Sequence, residues 1–303
     1  MAAASYINPL LALLGAPLLL GIINRTKSLF GGREGPPLLQ AYRDLAKLLR
    51  KGATYSRTTT WIFRAGPIVG LAAAGTALLL VPLPGLRAPL AFSGDLLLLA
   101  SLLGLMRFAT VIAALDTGSS FEGLGASREV YFSALAEPAL ILGLAAVARN
   151  TESLSLSSMF EALGAGRYWN GGPAMALVGA ALFVVFLAEN ARIPVDDPNT
   201  HLELTMVHEV MVLDHGGPDF AFILYGAALK LWILGLLVVG VALPIRFENP
   251  WANGVATLAA LGLLAVTTGI VESSMSRLRL SRVPQLLLGA GALAMVALIL
   301  VPR

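Results

Sequence analysis

The chain has 303 residues, 57% of them hydrophobic and 13% charged, with a net charge of +3 and no cysteine. An ordinary soluble domain carries about 25% charged residues, so this composition excludes a soluble globular protein and specifies an integral membrane one. The small net charge gives no basis for nucleic-acid binding, and the missing cysteines exclude disulfides and cysteine-ligated iron–sulfur clusters within this chain.

Runs of about 20 apolar residues cross a bilayer. Eight are predicted in chain order: 6–23, 61–81, 96–115, 131–148, 174–188, 220–243, 254–271 and 284–301. The first lacks a basic flank and a small-residue cleavage site, so it reads as a retained helix and not a signal peptide. The expected fold is all-α: one polytopic membrane domain over 1–303, a bundle of eight transmembrane helices plus a short amphipathic surface helix. Lysine and arginine gather on the cytoplasmic side. The connection 24–60 carries eight of them, with Arg64 just inside the next run. Placing that loop inside leaves 14 basic residues in cytoplasmic segments and five in outer ones, with Arg107 and Lys230 inside spans. Both termini are therefore expected on the outer, periplasmic face of a bacterial or archaeal cytoplasmic membrane.

Within loop 24–60, Pro36 and Pro37 start a predicted helix and Gly52 follows it. Leu38, Tyr42, Leu45 and Leu49 form one apolar stripe, opposite Arg43, Asp44, Lys47, Arg50 and Lys51. Such a helix lies along the membrane surface. It serves either as an anchor or as a site where Arg43, Asp44 and Lys47 meet a partner subunit.

Three spans contain a charge far from their ends: Arg107, Glu137 and Lys230. A charge near the bilayer centre costs about 2.5–3.5 kcal/mol on insertion scales. Helix rise puts Arg107 about 12 Å, Glu137 about 13 Å and Lys230 about 16 Å from the cytoplasmic span ends. The three share one layer on that count. Glu129, Glu189 and Glu272 fall at cytoplasmic span ends, above it, completing a polar path toward the bilayer centre. The competing reading is static ion pairs that fix helix packing. The longest polar stretch, 189–219, holds Glu189, Asp196, Asp197, Glu203, Glu209, Asp214 and Asp219 against Arg192 alone, and all three histidines. Asp197 before Pro198 predicts a helix over 198–213. His201 and His208 then share one face beside Glu209, fitting partner contact or proton exchange better than a metal, since no third ligand follows. Asp116-Thr117-Gly118 reads as a turn at a span end, lacking the facing aspartate that protease chemistry needs.

Three stretches resemble a known family. GGREGPPLLQAYRDLAKLLRKG (31–52), LDTGSSFEGLGASREVYFSALAEPALILGL (115–144) and ESSMSRLRL (272–280) are similar to the respiratory complex I subunit 1 family, and within it to the formate hydrogenlyase subunit 4 branch. The resemblance implies a non-catalytic membrane anchor and coupling subunit. It would link redox chemistry in soluble hydrogenase-like large, small and iron–sulfur subunits to proton or sodium movement in antiporter-like membrane subunits. Iron–sulfur clusters, and nickel–iron where retained, belong to those partners; no cofactor is implied in this chain. The matching relay positions are Arg107, Glu129, Glu137, Glu189 and Glu203, to which the depth reading adds Lys230 and Glu272. Partner contacts fall on Arg33, Asp44 and Lys47 and on the loop residues Arg192, Asp196, Asp197, His201, His208 and Glu209. The chain departs from the complex I pattern at 195–201, where the family lines its quinone chamber or meets the hydrogenase subunits, and this leaves quinone binding open. A quinone-binding subunit of a complex I-type dehydrogenase and a stand-alone ion transporter are the alternatives.

Overall fold

The computed structural model describes residues 5–197, 206–243, 247 and 249–301. Each of the eight apolar runs falls on a helix. In chain order these are α1 (Ile7–Phe30), α3 (Trp61–Leu78), α4 (Asp95–Asp116), α5 (Ser120–Thr151), α6 (Pro173–Glu189), α7 (Gly217–Ala242), α8 (Pro250–Ser274) and α9 (Val283–Leu300), with the amphipathic helix α2 (Gln40–Leu49) between α1 and α3. Seven are long and apolar enough to cross a membrane. The chain is thus a multi-pass membrane protein. The eighth, α6, is a shorter apolar helix of 17 residues, about 26 Å at 1.5 Å per residue.

α7 forms the axis. Every residue from Ala228 to Val241 is buried, as expected of a helix that is apolar all round. It packs against α1, α3, α6 and α8; α3 pairs with α4, α8 with α1, and α9 lies against α5 and α6. Hydrogen bonds tie helix ends on both faces of the bundle. On one face Asn8 Nδ2 donates to Val81 O (2.7 Å) and Arg149 Nη1 to Leu298 O (2.9 Å). On the other, Asp116 at the end of α4 caps the start of α3, accepting from Thr60 N (2.7 Å), Thr60 Oγ1 (2.8 Å) and Phe63 N (3.2 Å). The Asp-Thr-Gly turn is thus a helix cap. Trp61, Trp169 and Trp251 sit near helix starts and are largely exposed, the placement of interfacial aromatics.

Two expectations change here. The amphipathic helix begins at Gln40, because the N–H of Gln40 closes a turn on Pro37 O (2.9 Å) and residues 38–39 belong to that turn. It is also laid along the flank of α1: the Tyr42 hydroxyl donates to Leu14 O, in the first half of that helix. Next to it, Pro17 has no N–H to give to Leu13 O, and the Tyr225 hydroxyl of α7 donates there instead (2.7 Å). The predicted helix over 198–213 is the second. Residues 198–205 lie outside the described residues, and over 206–213 the chain forms only a short 3-10 turn, Glu209–Val212. The Val207 and His208 N–H groups bond the Asp196 side chain (3.1 Å each), a local competition for donors that a helix would use.

Candidate functional site: paired charges across four helices

Arg107 stands near the middle of α4. Its guanidinium reaches three carboxylates: Nε to Glu129 at 3.3 Å, Nη1 to Glu137, and Nη2 to both oxygens of Glu189 at 2.6 and 2.7 Å. Glu189 also pairs with Lys230 Nζ of α7 at 2.9 Å. The planar fork of arginine suits such branching. Glu129 and Glu137, eight residues apart on α5, share the face that meets α4, as the helical period requires. The result is a string of three carboxylates and two cations joining α4, α5, α6 and α7.

Burial is graded along it. The Arg107, Glu189 and Lys230 side chains are 8%, 5% and 10% exposed, Glu129 is 19% exposed, and Glu137 is 42% exposed. Two cavities meet at Arg107 and Glu189. One, about 70 Å³, is lined by Arg107, Glu129, Glu189, Arg192, His208 and Lys230 with apolar neighbours, room for water between polar walls. The other, about 240 Å³, lies between α4 and α5 against Glu137, Ser101, Leu140 and Ile141. Gly104 supports this arrangement: a Cβ there would stand 3.4 Å from Glu137 Oε1. Arg107 and Glu189 line both spaces.

Glu189 was expected above the charged layer but lies within it. α6 ends at this residue, and the chain leaves through the turn 190–196, buried from Arg192 to Asp196, with Ala191 at positive φ. Irregular backbone at such depth is tolerated when protein covers it, and this explains the short α6. Glu272 is not on the string. It pairs with Lys27 (2.8 Å) and Arg192 (3.4 Å), forming a second cluster connected to the first through Arg192, which also lines the smaller cavity.

The acidic loop is pinned from several sides. Asp196 pairs with Arg277 (2.8 Å), Leu278 N donates to Pro194 O (2.9 Å), and Arg128 Nη1 donates to Met206 O (2.9 Å). Gly125 of α5 admits the loop closely, since a Cβ there would meet Val210 Cγ1 at 2.3 Å. Arg192 and Asp196, expected to face a partner, are buried and engaged within the chain. His208 is half-buried and lines the smaller cavity, while Asp197 and Glu209 are partly exposed. Arg33, Asp44 and Lys47 are exposed. His201 and Glu203 lie outside the described residues.

Glu122 escaped the sequence reading. It is buried on α5 and accepts from Asp214 N (3.1 Å). Its seven-residue spacing from Glu129, two turns on one face, was the available signal. Nearby, the His215 ring stacks on Phe63 at 3.9 Å between centroids. Burial pushes this histidine down to about 4, although Asp219 and Asp214 favour its charged form.

A family model described as NADH dehydrogenase matches residues 4–302. The chain belongs to the NADH dehydrogenase family. Formate hydrogenlyase subunit 4 of Escherichia coli (strain K12) is 30% identical over 277 residues, 89% of each chain. Hydrogenase-4 component C of the same organism is 30% identical over 267 residues, 86% of this chain and 83% of that one. A chain from the structure of the membrane-bound sulfane sulfur reductase, an archaeal respiratory membrane complex, superposes with a TM-score of 0.85 over 99% of both chains at 20% identity, a shared fold. The resemblance carried by the motifs at 31–52, 115–144 and 272–280 is borne out. Two of those motifs build the site: 115–144 supplies Glu129 and Glu137, and 272–280 supplies Glu272 and Arg277.

Proposed function

We propose that this NADH dehydrogenase family member is the membrane-anchor and coupling subunit of a hydrogenase-like complex of the formate hydrogenlyase type. It sits in a bacterial or archaeal cytoplasmic membrane with eight spans, α6 being the short one, and both termini outside. Soluble large, small and iron–sulfur subunits dock on the cytoplasmic loops, where Arg33, Asp44 and Lys47 are exposed; antiporter-like subunits lie alongside in the bilayer. The metal centres belong to the partners. The relatives named above, a formate hydrogenlyase subunit and a hydrogenase component, support this reading.

One observation carries the coupling role: Arg107 and Glu189 line both a loop-side cavity and a lateral one that holds the half-exposed Glu137. In a medium of low dielectric, the charge state of one carboxylate strongly alters the hold of its neighbours on a shared cation. A proton gained by Glu129 or Glu189 weakens that residue's grip on Arg107 and strengthens the Arg107–Glu137 pair. A charge change made near the loop thus reaches the lateral face without a continuous water path. The test is the ratio of ions moved to electron pairs transferred by the purified complex in proteoliposomes. Glu137→Gln should abolish ion movement while electron transfer and subunit stoichiometry persist; undiminished ion movement would overturn the relay. Inhibition by a quinone analogue would instead support the complex I-type alternative, and ion transport by the isolated chain would support a transporter.

A further inference from the structure

Among the described residues, the wall of the loop-side cavity carries one titratable group whose ordinary range spans neutrality, His208. Charged groups face it from every side: Glu129 from α5, Glu189 from the end of α6, Lys230 from α7, Arg107 from α4, and Arg192 and Asp196 from the loop. Its position is fixed through the backbone, because Asp196 accepts its N–H at 3.1 Å and is itself held by Arg277 at 2.8 Å. Arg192, on the same wall, is tied to Glu272. The His208 backbone is thus anchored and its side chain lines a cavity beside the charged string.

We propose that His208 is the proton-exchanging group between the acidic loop and the Arg107 string: its protonation adds a fourth cation to a wall that already holds Arg107, Arg192 and Lys230, and competes with Arg107 and Lys230 for Glu129 and Glu189. The inference rests on the relay reading and adds its entry point. Burial holds His208 below the usual imidazole range, while Glu129, Asp196 and Glu189 oppose that effect and Lys230 reinforces it. At neutral pH the ring is therefore neutral, and it takes up a proton when a nearby positive charge withdraws or the pH falls. The loop sets when this happens, since Asp196 anchors the His208 backbone and also faces its ring.

The experiment measures ions moved per electron pair by the purified complex in proteoliposomes from about pH 5 to about pH 8, the interval that straddles imidazole titration. Wild type should change along a one-proton curve. His208→Gln should flatten that curve at equal assembly. Asp196→Asn, which weakens the backbone anchor, should displace the curve without abolishing it, a response that a merely space-filling histidine would not give. A His208→Gln profile superimposable on wild type, alongside a Glu137→Gln complex that is uncoupled, would overturn the assignment of His208 and leave the relay standing. If Glu137→Gln remains fully coupled, the relay itself is wrong and this inference falls with it. Should His208→Gln fail to assemble, ¹⁵N-histidine spectra of the wild-type complex decide: a His208 ring that stays neutral across the range refutes the proposal, and one that titrates supports it.

Discussion

Replacing Glu189 by Gln keeps the side-chain shape and removes the one carboxylate that joins Arg107 to Lys230. Arg107 retains Glu129 and Glu137. Among the described residues Glu189 is the ion-pair partner of Lys230, so the cost falls mainly on that lysine, which is 10% exposed. Breaking a buried pair from one side costs about 3–5 kcal/mol, and Arg107's remaining partners place this case near the lower end. About 3 kcal/mol corresponds to about a 150-fold change in the folded-to-unfolded ratio. The double variant Glu189→Gln/Lys230→Met removes both charges and should recover more than half of the loss, while ion coupling stays absent. Reversible unfolding of the full chain in mixed micelles titrated with dodecyl sulfate, followed by tryptophan emission, measures each stability. A Glu189→Gln loss below about 1 kcal/mol, in the range of exposed pairs, would refute the claim that this pair is sequestered. Additive losses in the double variant would refute the pairing.

Asp116→Ala removes three hydrogen bonds at the start of α3, and the same titration should show a loss of about 1 kcal/mol, the usual worth of a helix cap. Gly125→Ala drives a methyl group into Val210 and Met211; it should cost about 1–3 kcal/mol through overpacking and increase protease cleavage of the loop that carries His208. Because burial lowers His215 to about 4 from 6.5, the folded state binds less proton than the unfolded one between those values. Stability should therefore rise with pH across that window and fall by up to about 3 kcal/mol as pH drops through it. His215→Phe, which can keep the stack on Phe63, should erase that component, and an unchanged pH profile would count against the buried neutral ring.

Arg107, Glu137 and Lys230 were legible in the sequence because each interrupts an apolar run, where an ionised group is too costly to occur without partners. Glu189 was placed too high because it closes its helix. Only the packing of a short α6 against α5, α7 and α9 brings that end to Arg107 and Lys230. Glu122 was passed over because its local surroundings, Ser119 to Gly125, read as a polar connection, whereas α5 already starts at Ser120. The acidic loop misled in another way. Its charges suggested a docking face, yet Asp196 spends its oxygens on three backbone N–H groups and Arg277, and Arg192 turns inward to Glu272. Side-chain capping and long-range ion pairs of this kind leave no periodic trace in a sequence. The amphipathic stripe of α2 was visible, but its docking along α1 depends on Tyr42 meeting a carbonyl 28 residues earlier.

The most direct test of charge passing along the string is infrared difference spectroscopy of the complex between its oxidised and reduced states. Reduction should produce a carboxyl C=O band that vanishes in Glu137→Gln and shifts in Arg107→Lys, reporting a proton gained or lost at the lateral end of the string. A difference spectrum identical in wild type and both variants would mean that these carboxylates do not change protonation with redox state, and the pairs would be only structural.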